Sequence, residues 1–403
     1  MKINKDLLYF ITNAPYKFLK ATVIIVTNFI ITWYLGNKIS KDFLGQYQFV
    51  LSSMGIFIIF SFPGIKEAIL QSSARGYDKS LIIGTRIALK TSLLGSLSIL
   101  LLSGFYYFFK GDTQLSLALL VVGFFFPFYY TLDNFSYYLT GKGKFKLEFI
   151  FYLISNIFLL LLLHLSILLS KGNIVLFTTA YFLSNTFIYL IAYLKCKQEL
   201  NLQKDPELIN YGWFLTKLNS VIYLTNYLDK FLVGLLISPL ELATYSIAIT
   251  LADKVKYLIK PILTVLYPAF SKQTIRITIK KIYFIIFFSI ITTLILFTSS
   301  PILISILFPD FTDSITYARV YSIILLFLPI NTILEFNNKA QKKKNIIKKV
   351  IFASRISFLL FIIPGIILFD IWGVIFAKIL SHIIESLTNI FLFFYEKENY
   401  KNN

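Results

Sequence analysis

Long apolar runs follow one another along the whole chain, and only short polar segments separate them. A helix needs roughly 20 mostly apolar residues to cross the hydrocarbon core of a bilayer. Backbone exposed to lipid must satisfy its own hydrogen bonds, and the runs lack the alternation typical of a membrane barrel. The sequence therefore predicts an all-α membrane protein with about twelve transmembrane helices. We place them near 18–37, 44–66, 81–109, 115–139, 147–170, 173–195, 211–237, 241–270, 280–308, 314–338, 346–369 and 371–395.

Composition supports this class and excludes several others. Only 15% of the residues are charged and 57% are hydrophobic, whereas soluble domains carry roughly 25% charged residues. The net charge of +19 does not indicate nucleic-acid binding, because the lysines and arginines lie between the apolar runs, as in cytoplasmic loops. A single cysteine, Cys196, excludes a disulfide within the chain and a cysteine metal cluster. We predict no metal, no cofactor and no nucleic-acid partner, with the lipid bilayer as the surroundings.

The distribution of basic residues predicts the orientation. Cytoplasmic loops of membrane proteins are rich in lysine and arginine. With the N-terminus in the cytoplasm, the outer loops hold only Lys38, Lys41, Lys110 and Lys171, and clusters of basic residues occupy the other loops and both termini. This alternation predicts an even number of helices with both termini cytoplasmic, in the inner (cytoplasmic) membrane of the cell.

An internal repeat predicts two lobes. The loop 199–210 divides the helices into six and six, giving an N-terminal lobe over 1–198 and a C-terminal lobe over 211–403. Sliding the sequence by 198 positions pairs identical residues, among them Thr27 with Thr225, Asn28 with Asn226, Gly36 with Gly234, Tyr47 with Tyr245 and Pro63 with Pro261. An offset of six helices keeps the copies in one orientation, so the repeat is parallel, an arrangement found among secondary transporters.

Ionisable residues within the predicted spans are candidates for function, because burying a charge in lipid is costly. Lys378, His382, Glu385 and Asn389 recur at the spacing of one helix face. They indicate either the lining of a water-filled cavity or a structural network between helices.

Helices seven, eight and three carry further charges. Asp229 and Lys230 are neighbours that point to different sides of helix seven, and Lys90 lies about nine residues into helix three. In helix eight, Asp253 and Lys256 share a face and could pair, whereas Lys254 points elsewhere. For Lys90, Lys230 and Lys254, cavity lining and snorkelling to the interface stay open alternatives.

Lysine and arginine outnumber aspartate and glutamate within the predicted spans. A positive cavity attracts anions and suits a phosphate or diphosphate headgroup. Pro63 and Pro261, at equivalent places in the two lobes, could break or bend helices two and eight. We find no P-loop and no clustered catalytic groups, so the sequence predicts a transporter and not an enzyme.

Two stretches carry a resemblance to a known family. The first, ISKDFLGQYQFVLSSMGIFIIFSFPGIKEAIL (39–70), is similar to the family pattern of a helix pair joined by a turn ending in Gly-x-Tyr. The second, YLDKFLVGLLISPLELATYSIAITLADKVKYLIKPILTVLYPAFSK (227–272), resembles the Asp-containing helix seven and a helix eight ending in Pro-x-Phe-Ser. Ala243 stands where this pattern usually has glycine. The chain resembles the polysaccharide-precursor (Wzx-type) flippases of the multidrug/oligosaccharidyl-lipid/polysaccharide exporter superfamily.

The resemblance implies a flippase that moves a polyprenyl-diphosphate-linked oligosaccharide, such as an O-antigen (lipopolysaccharide) unit, from the cytoplasmic to the outer leaflet. It implies alternating access of two lobes, coupled to a proton or sodium gradient, with a polymerase and glycosyltransferases of the pathway as partners. From the residues above, we expect the diphosphate at Lys90, Lys230, Lys254, Lys256 and Lys378. We expect ion coupling at Asp229, Asp253, His382 and Glu385.

Three alternatives remain open at the level of sequence. A drug-cation antiporter of the same superfamily would be expected to have an acid-dominated cavity. A membrane polysaccharide polymerase would need a long outer loop or clustered catalytic groups. A structural membrane protein would have little reason to keep charges in mid-membrane.

Overall fold

The structure is a computed structural model that describes residues 5–170, 172–198, 200–201, 203–271, 279–341 and 343–402. Within these ranges, side chains are described except at 5–14, 218, 256–271, 279, 340 and 396–402. Every regular element in the described ranges is helical. The α-helices are α1 (Lys5–Lys38), α2 (Lys41–Phe57), α3 (Ile65–Ala74), α4 (Ser80–Phe105), α5 (Thr113–Leu132), α6 (Asn134–Gly141), α7 (Phe145–Ser170), α8 (Ile174–Gln198), α9 (Leu208–Leu232), α10 (Pro239–Ser271), α11 (Ile279–Leu307), α12 (Ser314–Tyr321), α13 (Leu328–Ala340) and α14 (Lys344–Asn402). π-helical turns extend α4 through Tyr106–Lys110 and α9 through Val233–Ile237, and 3₁₀ turns cover Ile58–Ser61, Pro309–Phe311 and Ser322–Leu326.

The predicted spans coincide with these helices, and turns divide several of the spans into two shorter helices. In span two, the backbone turns at Phe62, which has a left-handed conformation (φ 57°, ψ 56°), and Pro63-Gly64 separates α2 from α3. The long helix α14 contains a non-helical residue at Asp370 (φ 49°, ψ −128°), where the two predicted last spans meet. In contrast, α10 runs as one helix past position 261. The side chain of Pro261 lies outside the described residues, so the bend predicted there stays a prediction.

Ten helical stretches in the described part of the chain are long and apolar enough to cross a membrane. One of them, 344–395, has 52 residues, enough for two crossings of roughly 20 residues each. The charged helix α10 is not among the ten. The predicted all-helical membrane fold is therefore confirmed. The exact count of twelve and the cytoplasmic position of both termini stay predictions.

Two compact units divide the chain, Met1–Phe231 and Leu232–Asn403. In the first unit, the buried core includes Phe62, Ile65, Ile69 and Phe135. In the second, Ile282, Ile330 and Leu334 form a smaller buried cluster. The predicted division into lobes at 1–198, 199–210 and 211–403 stays a prediction.

Glycine allows close approach at the break in span two. A Cβ atom at Gly64 would collide with the backbone of Thr216 and Gly212 in α9. The Gly64 N–H instead donates to the hydroxyl oxygen of Thr216 at 3.0 Å. The break at Pro63-Gly64 therefore lies directly against α9, and α3 starts at a fixed position.

Candidate functional site

A buried carboxylate joins three helices of the first unit. Glu148, in the first turn of α7, has a side chain only 1% exposed. The ammonium groups of Lys17 and Lys20 in α1 each donate to it at 2.6 Å. From α6, the hydroxyls of Ser136 and Thr140 donate to it at 2.6 Å and 3.0 Å. The two oxygens thus accept four hydrogen bonds, so this carboxylate is fully satisfied as an anion.

A second ion pair lies close by at the start of α3. Lys66, 7% exposed, donates to Asp133 at 2.7 Å. The hydroxyl of Tyr152 in α7 donates to the other Asp133 oxygen. The Lys66 ammonium also lies 4.0 Å from the centre of the Tyr130 ring, within the range of a cation–π contact. The break after α2 places this lysine in the protein interior.

One aromatic ring connects the two ion clusters. The ammonium of Lys20 lies 3.7 Å from the centre of the Tyr152 ring, and the hydroxyl of that ring contacts Asp133. The five ionisable side chains of Lys17, Lys20, Lys66, Asp133 and Glu148 form one neighbourhood, and Glu67 follows Lys66 in the first turn of α3. Basic and acidic groups are therefore balanced in this part of the first unit, three of each.

The second unit contains a cation close to two aromatic rings. The ammonium of Lys378 in α14 lies 5.6 Å from the ring centre of Tyr321 and 5.8 Å from that of Tyr245. The hydroxyl of Tyr321 donates to Asp253 in α10 at 3.4 Å. A single tyrosine of α12 therefore contacts both the predicted diphosphate-binding lysine and a predicted ion-coupling carboxylate.

A histidine–carboxylate pair lies further along the same face of α14. His382 Nδ1 and Glu385 Oε2 are 3.3 Å apart, with side chains 17% and 15% exposed. The amide of Asn331 in α13 donates to the His382 carbonyl at 3.2 Å, and Ser386 donates to the Asn331 side-chain oxygen at 2.8 Å. One turn further, the buried amide nitrogen of Asn389 has no hydrogen-bond partner among the described residues. The predicted face thus holds a titratable pair and a buried donor.

The remaining predicted site residues fall in different places. In the first unit, Asp229 is buried and Lys230 donates to the side-chain oxygen of Gln48 at 3.1 Å. Lys254 is half-buried in the second unit. The side chain of Lys256 lies outside the described residues. Lys90 is exposed and lines a groove on the surface of α4 and α5, and its part in diphosphate binding stays a prediction.

The cluster around Glu148 was not found from sequence. In the sequence, Lys17, Lys20, Lys66 and Asp133 all lie near the ends of apolar runs, where a charged side chain is ordinary. Each cation pairs with a carboxylate at least 67 positions away along the chain. No helical spacing reveals such a pair. The break at Pro63-Gly64 was the one signal that span two does not continue directly to Lys66.

The fold is that of known membrane transporters. The lipid II flippase MurJ, in an inward closed conformation, matches with a TM-score of 0.70 at 16% identity, covering 94% of this chain and 87% of that one. An inward-facing multidrug resistance transporter of the MATE family, in the MOP superfamily, matches with a TM-score of 0.68 at 12% identity, covering 95% and 96%. The eukaryotic MATE transporter AtDTX14 matches with a TM-score of 0.63 at 14% identity, covering 97% and 95%. No curated protein matches the chain.

These similarities and the apolar helices define a multi-pass membrane protein with a transporter fold. The family described as "Polysaccharide biosynthesis protein" matches residues 16–274. The chain therefore belongs to the polysaccharide biosynthesis protein family, and the resemblance drawn from sequence is confirmed at this level.

Proposed function

We propose that this protein moves a polyprenyl-diphosphate-linked oligosaccharide from the cytoplasmic to the outer leaflet of the inner membrane. The observation that carries the proposal is membership of the polysaccharide biosynthesis protein family together with the fold shared with the lipid II flippase MurJ. A transporter in such a family needs a cargo that belongs to polysaccharide synthesis and starts on the cytoplasmic side. A lipid-linked repeat unit meets both conditions, and the pathway's glycosyltransferases and polymerase are its expected neighbours.

Cations within the membrane-spanning helices support an anionic headgroup. A diphosphate in hydrocarbon would be prohibitively unstable without partners. In the first unit, Lys66 is buried beside Asp133, and Lys230 lies half-buried beside Gln48. In the second unit, the Lys378 ammonium lies 5.6 Å and 5.8 Å from the centres of two tyrosine rings. We assign headgroup binding to Lys230, Lys254 and Lys378, and expect Lys256 to join them.

The carboxylates and the histidine suit ion coupling. Asp229 and Asp253 each neighbour a lysine in sequence, so an added proton or sodium ion would change the charge that an anionic cargo meets. His382 and Glu385 form a pair that is ionic only when the imidazole is protonated. We therefore assign coupling to a proton or sodium gradient at Asp229, Asp253, His382 and Glu385. Alternating access of the two predicted lobes would use the break at Pro63 and a bend at Pro261.

A reconstituted flipping assay tests the proposal. The purified protein is placed in vesicles that carry a fluorescent lipid-linked oligosaccharide, and a membrane-impermeant reductant bleaches the label on the outer face. Wild-type protein is expected to expose the inner pool, faster with an imposed proton or sodium gradient. Lys378→Gln should slow flipping about tenfold, since a hydrogen bond or contact to a charged group contributes about 1.5–3 kcal/mol.

Lys348→Gln is the matched control, because Lys348 lies exposed in the first turns of the same helix. Equal rates for both variants would exclude headgroup binding at Lys378. The MATE similarities make a cation antiporter the second candidate. Gradient-driven efflux of a cationic dye without any flipping of the lipid-linked glycan would establish that alternative. Elongation of the glycan by the protein alone would indicate a polymerase.

A further inference from the structure

A groove runs along the exposed side of α4 and α5 in the first unit. Its volume is about 460 Å³, and its walls are almost wholly apolar. It is lined by Leu89, Lys90, Leu93, Ser96 and Leu100 from α4 and by Leu120, Gly123, Phe124, Pro127 and Phe128 from α5. At 1.5 Å per residue, the stretch from Leu89 to Leu100 is roughly 16 Å long, about half of the hydrocarbon core.

Small and polar groups at the floor of the groove keep the two helices close. The hydroxyl of Ser96 donates to the carbonyl of Gly123. A Cβ atom at Gly123 would meet the end of the Leu100 side chain at 2.8 Å. Glycine at position 123 therefore lets α5 lie close to Ser96 and Leu100 of α4.

The walls of the groove face outward within membrane-spanning helices. Leu93 is 58% exposed, Phe124 64% and Leu120 49%. Both helices are long and apolar enough to cross a membrane. Hydrocarbon chains surround such a surface, so a lipid chain is the natural occupant of the groove.

Two cations lie at one end of the groove. Lys90 lines it and is exposed, and Arg86 lies one turn earlier on the same face, also exposed. Helix side chains lean toward the N-terminus, so the Lys90 ammonium reaches back toward the level of Arg86. This end is nearest the basic loop before α4, whose lysine and arginine content predicts a cytoplasmic position.

We propose that this groove is a loading site for the lipid carrier of the cargo, an isoprenoid lipid with one chain and a diphosphate headgroup. The groove follows one line between α4 and α5, which suits a lipid with one chain better than a diacyl phospholipid with two. Two adjacent cations match the two phosphates better than they match one phosphodiester. The identity of this lipid rests on the proposed function. The carrier would be held in the cytoplasmic leaflet with its headgroup at Arg86 and Lys90 and its chain along Leu93 to Leu100.

Binding of a polyprenyl diphosphate without any sugar tests the site. The full-length protein is reconstituted in phosphatidylcholine nanodiscs, and the bound polyprenyl diphosphate is measured by native mass spectrometry over a concentration series. Lys90→Gln and Arg86→Gln should each weaken binding about fivefold, the effect of one basic residue near an anionic lipid surface. Leu93→Trp should weaken it at least as much by filling the groove from its open side.

Matched controls come from the same helix. Leu94→Trp changes a neighbouring residue that is 59% exposed but does not line the groove, and Lys110→Gln removes an exposed cation at the opposite end of α4. Both should bind like wild type. Equal binding by the groove variants and the controls would overturn the proposal. So would phosphatidylglycerol displacing the polyprenyl diphosphate at equal concentration, since the occupant would then be an ordinary bilayer lipid.

The flipping assay separates this inference from the proposed function. If the groove variants lose carrier binding but the wild-type protein flips no lipid-linked glycan, the loading site is supported and the proposed function is refuted. If the wild-type protein flips the lipid-linked glycan, and the groove variants bind polyprenyl diphosphate and flip the glycan as well as wild type does, the proposed function is supported and the loading site is refuted.

Discussion

Replacement of Glu148 by glutamine tests whether the buried ion cluster stabilises the first unit. The variant keeps the shape of the side chain and one acceptor oxygen but removes the charge that faces Lys17 and Lys20. Leaving a buried charge without its partner costs about 3–5 kcal/mol. The lysine side chains are 39% and 17% exposed, so water can reach them in part. We expect a loss of about 2–3 kcal/mol in the free energy of unfolding.

Thermal unfolding in detergent, followed by tryptophan fluorescence, measures the loss. Trp33 and Trp213 both lie in the first unit. At roughly 2–4 °C per kcal/mol, the midpoint should fall by roughly 4–12 °C. The matched control is Glu335→Gln, because Glu335 forms an exposed pair with Lys339 one helical turn away in α13. Such pairs contribute only about 0.3–0.5 kcal/mol.

A double variant identifies the cause of the loss. In Glu148→Gln combined with Lys20→Gln, one of the two uncompensated cations is removed and Lys17 remains, so the double variant should be more stable than Glu148→Gln with Lys20 retained. Additive losses, or a loss from Glu148→Gln as small as that from Glu335→Gln, would refute the argument that uncompensated charge governs this site.

Three further substitutions have defined outcomes. Gly64→Val should prevent stable folding, seen as aggregation in size-exclusion chromatography, because its Cβ would collide with the backbone of Thr216; a monodisperse variant would contradict the close approach. Tyr152→Phe should lower the free energy of unfolding by about 1.5–3 kcal/mol, the contribution of a hydrogen bond to the charged Asp133, and an unchanged midpoint would exclude that bond. Asn389→Leu should unfold no earlier than wild type, since it removes a buried donor without a described partner. It should slow flipping if that donor contacts the cargo or the coupling ion. A lower unfolding midpoint would instead show that Asn389 has a structural role.

The helices could be predicted because the bilayer imposes their length and polarity on the sequence itself. The face of α14 was predictable for a similar reason, since His382 and Glu385 are separated by one helical turn and meet within one helix. The break at Pro63 was expected because proline lacks the N–H that a helix interior requires. The turn at Asp370 was placed only as the boundary between two apolar runs.

The ion cluster of the first unit could not be predicted because its pairs join distant helices. Glu148 pairs with Lys17 and Lys20 across 131 and 128 positions. In the sequence, a lysine at a helix end looks the same whether it faces water or a buried carboxylate. Lys90 shows a second limit of the sequence. The apolar run around it placed Lys90 within a span but could not distinguish an interior cavity from an outer groove.

The most direct test of the proposed function is the rate at which a lipid-linked oligosaccharide crosses the bilayer in vesicles containing only this protein. The glycan that becomes accessible to an added glycosidase is measured with time, with and without a proton or sodium gradient. We predict first-order exposure of the inner pool that depends on the protein and accelerates with one of the two gradients. A rate equal to that of protein-free vesicles under every gradient would contradict the proposed function.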